Sequence, residues 1–150
     1  MKNKDYFETF MKIERMYRLF LEVVKAELVR LKIRDITNAQ CLILYNLGDN
    51  YVTVGELNEK YYLGTNINYN LCNMVKNGYF IKTQSIHDLR TFNIKLSDKG
   101  FELHRKLDKI FNSHLHDLKL GGYDQSFEDL SIPLDGMEEF WIDTLHSIKD

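Results

Sequence analysis

Between Thr65 and Asn77 the chain reads TNINYNLCNMVKN, and Asn66, Asn68, Tyr69, Asn70 and Asn73 stand out among its side chains. Asn makes poor helix filler because its amide competes for backbone hydrogen bonds. The same amide matches the N6/N7 edge of adenine bidentately, which suits it to reading bases. Ile67, Leu71, Met74 and Val75 recur through the stretch at helical spacing, so one helix face packs inward and the Asn/Tyr face is expected to point outward. Thr65 is placed to cap this helix and Asn77-Gly78 to end it. The chemistry on offer is recognition of base edges rather than bond making.

A second cluster follows directly. Tyr79-Phe80-Ile81 and Phe92-Asn93-Ile94-Lys95-Leu96 read as two short strands, the second with clean alternation. The connection from Lys82 to Thr91 carries His87, Asp88 and Arg90, which predicts a polar tip. An Asp two residues before an Arg at a hairpin tip can bond turn amides and the guanidinium together, holding the Arg outward. An extended Arg suits the narrow, electronegative minor groove of A·T-rich DNA. A surface ion pair with no partner is the simpler reading of the same two residues. Lys76, Lys82 and Lys95 are the candidate phosphate contacts, and Thr65 and His87 complete the DNA-binding set.

Catalysis finds little support. His87, His104, His114, His116 and His146 are scattered, and no nucleophile–base frame, Gly-rich phosphate loop or paired-carboxylate motif appears. His114-x-His116 with Asp117 would suit a metal on a strand, but residues two apart on a helix diverge. No catalytic residue, metal ligand or cofactor is therefore expected. Cys41 and Cys72 lack CxxC spacing, against a disulfide framework or zinc site. Cys72 lies in the Asn-rich helix, where oxidation would disturb binding; a small packing residue is the simpler reading.

The elements that position these clusters follow from periodicity. Residues 5–31 form a long amphipathic helix whose apolar stripe, rich in aromatics, is wide enough to predict cover by a second subunit. Thr37 with Gln40, and Thr53 with Glu56, are capping boxes opening two short helices. Leu63-Gly64 then turns tightly into the Asn-rich helix, as in a helix-turn-helix. Ser97-Asp98-Lys99-Gly100 starts a further helix broken at Gly121-Gly122. The last segment, Phe127–Ile148, carries the chain's one proline, Pro133, near its start. With 150 residues, 44% hydrophobic and 28% charged, one domain with helical extensions is expected. No run approaches a membrane span and no signal-type core opens the chain, so a cytoplasmic location is expected. The net charge of −2 is uneven: residues 1–36 carry +3 and residues 123–150 carry −7. The acidic segment must then sit away from DNA phosphate.

This order of elements resembles the MarR family of winged-helix transcriptional regulators. The most specific match is Asp88-Leu89-Arg90-Thr91 followed by Phe92–Leu96 and Ser97-Asp98-Lys99-Gly100, similar to the family's D-x-R wing tip, strand and L-[ST]-[DE]-K-G helix start. Leu71 to Tyr79, with Met74 and Gly78, is similar to the end of the family's recognition helix. The turn Tyr62-Leu63-Gly64 is about one residue shorter than the common pattern, and the wing carries fewer basic residues. The resemblance implies a mainly α fold with a small β-wing: a winged helix-turn-helix at 37–99 between dimerisation helices at 1–36 and 100–150. It also implies a homodimer binding double-stranded DNA, expected to be a repressor, with Arg90 in the minor groove and Asp88 orienting it. A small-molecule effector pocket would lie between the dimer helices and the winged helix, with Arg15, Tyr17, Arg18 and Tyr45 as its candidate lining; core packing is the equal alternative for Tyr17 and Tyr45. The rival expectation is a winged-helix protein-interaction module without sequence-specific DNA binding.

Overall fold

The computed structural model describes residues 3–61, 66–123 and 126–149. Its elements run α1 (Asn3–Arg30), α2 (Asn38–Leu47), β1 (Val52–Thr53), α3 (Val54–Tyr61), α4 (Ile67–Lys76), β2 (Phe80–Gln84), β3 (Phe92–Leu96), α5 (Asp98–Leu120) and α6 (Ser126–Lys149). The chain divides within α5 into two compact units, Met1–Arg105 and Lys106–Asp150.

Local capping chemistry sets the helix starts. The Thr37 hydroxyl accepts from the Gln40 amide while the Gln40 side-chain oxygen accepts from the Thr37 amide, both at 3.1 Å. Thr53 and Glu56 repeat the exchange at 3.1 and 3.0 Å. Each box satisfies two amides that a helix start leaves without partners. α4 ends where Gly78 takes a positive φ of 84°. The Gly78 amide then bonds Val75 O and the Tyr79 amide bonds Met74 O, a Schellman closure that a Cβ would strain.

The sheet has three antiparallel strands in the order β1-β3-β2. The short β1, which the sequence pattern did not announce, pairs Val52 with Ile94 and Thr53 with Asn93. Thr53 thus ends a strand and caps α3. The hairpin is also longer than its apolar pattern suggests, because β2 continues through Lys82, Thr83 and Gln84.

In the first unit Val24 and Leu28 of α1, Cys41, Leu44 and Leu47 of α2, Leu57 of α3 and Ile67, Leu71 and Met74 of α4 are buried, with Phe80, Ile94 and Leu96 of the sheet. This core fixes α4 against the hairpin. Most of the α1 stripe stays out of it: Phe7, Met11, Ile13, Met16, Tyr17 and Phe20 are exposed. In the second unit α6 runs unbroken through Pro133, whose missing amide leaves one turn without its bond. The helix spans Ser126–Lys149, within one residue at each end of the segment read from the sequence as Phe127–Ile148. No helix among the described residues is long and apolar enough to cross a membrane.

Candidate nucleic-acid interface

The exposed side of α4 follows from helical geometry. At about 100° per residue, buried Ile67, Leu71 and Met74 define one side, and Tyr69, Cys72 and Lys76 form the line opposite. Asn68 and Asn70 fall on the two flanks, roughly 160° apart, so the five Asn/Tyr residues do not share one face. Asn66 occupies the N-cap position without a side-chain capping bond. Thr65 and the turn Tyr62-Leu63-Gly64 lie outside the described residues.

Exposure divides the set further. Asn66, Asn68 and Tyr69 are exposed, whereas Asn70 and Asn73 are half-buried. The Asn70 side-chain oxygen accepts from Gln40 Nε2 at 3.2 Å, and Gln40 is itself buried in its capping box. Asn70 is therefore spent partly on holding α4 against α2, which corrects the expectation that it points outward. Cys72, read from sequence as a packing residue, is exposed on the outer line. The helical angle carried that signal; the neighbouring Leu71 obscured it.

The wing is braced from within. Asp88 Oδ1 accepts from the Arg90 amide at 3.0 Å, and Asp88 O accepts from the Thr91 amide and hydroxyl, each at 3.1 Å. The Ser85 amide closes the turn on Thr91 O at 2.9 Å. Asp88 thus fixes the backbone beneath Arg90 but makes no ion pair with its guanidinium, which corrects half of the expected arrangement. His87, Asp88 and Arg90 are all exposed. So are Ile86, at 92%, and Leu89, at 70%, and the tip is not the purely polar turn expected from its charged residues.

Strand register decides which lysines meet α4. Lys82 pairs with Ile94 and Ile81 with Lys95, and cross-strand partners share a face while successive residues alternate. Lys82, Phe92 and Ile94 therefore look toward α4, and Lys95 looks away. A cleft of about 310 Å³ separates the two elements, with Asn68, Cys72 and Lys76 on one wall and Lys82 and Phe92 on the other. Lys82 Nζ sits 3.9 Å from the Phe92 ring centroid, a cation–π contact that steadies the ammonium. Lys76 and Lys82 are brought together; Lys95 is not brought to them.

A polar cluster that sequence reasoning missed anchors the end of α4. Asp35, in the α1–α2 link, accepts from the Tyr79 hydroxyl and the Lys99 ammonium, both at 2.5 Å. Asp35 O accepts from Asn77 Nδ2 at 2.9 Å, and Lys99 also reaches Asn77 O at 2.7 Å. Partial burial pushes the Asp35 carboxyl up, but donation from Lys99 and Tyr79 and the Lys99 charge outweigh it, and its pKa is lowered. Burial and then the Asp35 carboxylate push Tyr79 up, keeping its hydroxyl a donor. Together these bonds tie the residues just past α4, the entry to β2 and the start of α5 to one carboxylate.

The candidate effector residues are not assembled this way. Arg15, Tyr17 and Arg18 are exposed, and Arg18 pairs with Glu14 on its own helix. Tyr45 stacks on His104 at 4.7 Å. None of the four lines the cleft beside α4.

No family model matches the chain. It is 34% identical over 121 residues to the exopolysaccharide II synthesis transcriptional activator ExpG of Rhizobium meliloti (strain 1021), across 80% of this chain. The match spans 62% of that protein's length. Among solved structures, Streptococcus pneumoniae FabT in complex with DNA superposes with a TM-score of 0.72 at 18% identity, covering 93% of this chain and 99% of FabT. A MarR transcriptional regulator from Methanosarcina mazei Go1 gives 0.72 at 18% identity, covering 91% and 97%. The six helices and three-stranded sheet among the described residues agree with these superpositions: the chain has the winged-helix fold of the MarR transcriptional regulators.

Proposed function

We propose that this chain is a MarR-family transcriptional regulator that binds double-stranded DNA as a homodimer. The observation that carries this reading is the pairing, in one compact unit, of α4's exposed Asn68–Tyr69–Cys72–Lys76 surface with a braced hairpin ending in Arg90. α4 enters the major groove, where Asn66, Asn68 and Tyr69 meet base edges, and the wing lies along the flanking minor groove. Lys76 and Lys82, converging on one cleft, meet the phosphates between the two grooves. The FabT complex with DNA and the activator ExpG support the reading by likeness.

The dimer reading rests on exposed apolar surface. Phe7, Met11, Met16, Tyr17 and Phe20 of α1, and Phe127, Leu130, Phe140 and Trp141 of α6, lie open in the single chain. Apolar surface on this scale calls for a partner, and a second copy gives the two-fold symmetry that a palindromic site requires. Bound across a promoter, such a dimer represses; bound upstream, it recruits polymerase. Operator position sets the sign, and a reporter assay reads it.

Selection of bound duplexes from a random pool tests the proposal. An enriched palindrome, bound with an affinity that falls steeply with salt, is the expected result. Weak binding indifferent to sequence would overturn it in favour of a protein-interaction module.

A further inference from the structure

Ile86 is the most exposed large apolar side chain among the described residues, at 92%, and Leu89 follows on the same turn at 70%. Several polar groups of that turn bond within it, although His87, Asp88 and Arg90 stay exposed. Ser85 Oγ accepts from the His87 and Asp88 amides at 3.3 and 3.4 Å, and Gln84 Nε2 donates to Leu89 O at 2.7 Å. Asp88 holds the Arg90 amide and Thr91. The result is a self-bonded turn that holds two aliphatic side chains in water beside an exposed cation. A turn needed only to close a hairpin has no use for that arrangement, which costs solubility.

We propose that the wing tip is a minor-groove wedge, in which Ile86 and Leu89 press between base steps while Arg90 follows the groove. The occupant is identified by charge and by continuity. Between Lys82 and Lys95 the hairpin carries three cations, Lys82, Arg90 and Lys95, against Asp88 alone, complementary to a groove walled by phosphate. The tip also belongs to the hairpin that lines the cleft beside α4. Apolar side chains inserted at a base step unstack it and bend the duplex toward the major groove. Pyrimidine–purine steps yield most easily, so the wedge selects flexible TA or CA steps at positions α4 never touches. This inference rests on the DNA-binding reading above.

The test uses the full chain and an enriched duplex carrying fluorophores at both ends, with affinity measured across a salt series. Wild-type protein is expected to bring the duplex ends closer together. The I86S/L89S variant alters only exposed positions, and a thermal melt checks its fold. It is expected to bind roughly 10-fold to 100-fold more weakly, with an unchanged salt slope and a straighter duplex. Arg90→Ala is expected to lower the salt slope by about one. Binding and bending by I86S/L89S equal to wild type would overturn the wedge, as would weaker binding accompanied by a changed salt slope and an unchanged bend. Failure of wild-type protein to bind any duplex removes the DNA-binding reading instead, so the two failures are distinguishable.

Discussion

Tyr79 donates its hydroxyl to the Asp35 carboxylate at 2.5 Å across a sequence separation of 44 residues. With Lys99 on the other carboxylate oxygen, the α1–α2 link is fastened to the end of α4 and the start of the wing. Asp35→Asn weakens both bonds, and a loss of about 1 kcal/mol of stability is expected. That is below the usual value for bonds to a charged group because Asp35 and Lys99 are both nearly half exposed. The Asp35 pKa is lowered on folding, so its contribution is present above the unfolded value of about 3.9 and is lost as pH falls through the folded one. Thermal melts should show the gap between wild type and D35N at pH 7 closing below about pH 4. A gap independent of pH would show that Asp35 acts through packing instead.

Gly100 has no room for a side chain. A Cβ there would stand 2.3 Å from Tyr79 O and 3.3 Å from Leu96. Since the first of these is backbone, the residue leading into β2 or the start of α5 must move. Gly100→Ala is expected to cost about 1–3 kcal/mol, in the range of core overpacking, read as a lower urea midpoint. An unchanged midpoint would mean the helix start shifts freely.

The motif ending at Gly100 shows how sequence and structure divide the work. Leu96-Ser97-Asp98-Lys99-Gly100 was legible as a pattern, and its reasons emerge in three dimensions. Ser97 Oγ donates to the carbonyl oxygens of Gly78 and Tyr79, between α4 and β2, and accepts from the Gly100 amide. Lys99 reaches Asp35, and Gly100 lets Tyr79 O approach. The capping boxes at Thr37 and Thr53 were legible because both partners lie within four residues. β1 was not, because two residues become a strand only by pairing with Ile94 and Asn93, some forty positions away. Asn70 was misplaced for the same reason: Gln40, 30 residues upstream, draws it inward. At the wing tip the charged residues drew attention from Ile86 and Leu89, whose exposure depends on a turn that bonds to itself.

Asn70 and Tyr69 should separate stability from recognition. Asn70→Ala leaves buried Gln40 Nε2 without its acceptor, a loss of about 1–3 kcal/mol in stability. Tyr69, 70% exposed on the outer line of α4, should change the melting midpoint little on replacement by Ala while weakening binding to the selected duplex. Urea titration and fluorescence anisotropy on both variants check the pair. The reverse pattern would place the reading face of α4 elsewhere.

The two thiols should differ sharply in reactivity. Cys41 is fully buried, and burial pushes its pKa up to about 12, so almost no thiolate forms at neutral pH. Cys72 is exposed. A thiol-reactive chromophore should therefore label one site per native chain, none in Cys72→Ser, and two after denaturation. Alkylation at Cys72, between Tyr69 and Lys76 on the outer line, should also abolish duplex binding. Binding that survives full labelling would remove this line of α4 from the interface.

The α1 surface gives the remaining prediction. Met16 is 64% exposed near the middle of a 28-residue helix of which only Val24 and Leu28 are buried. In a single chain Met16→Glu replaces an apolar side chain in water with a charged one, which should leave the fold intact. In a dimer the same carboxylate meets its two-fold mate or an apolar partner surface without compensation, at a cost of several kcal/mol. Light scattering at micromolar concentration should therefore find wild type dimeric and M16E monomeric with similar circular dichroism. Because each half-site alone binds weakly, M16E should also lose more than about tenfold in affinity for the palindrome. A monomeric wild type would remove the dimer, and a dimeric M16E would move the interface off the middle of α1.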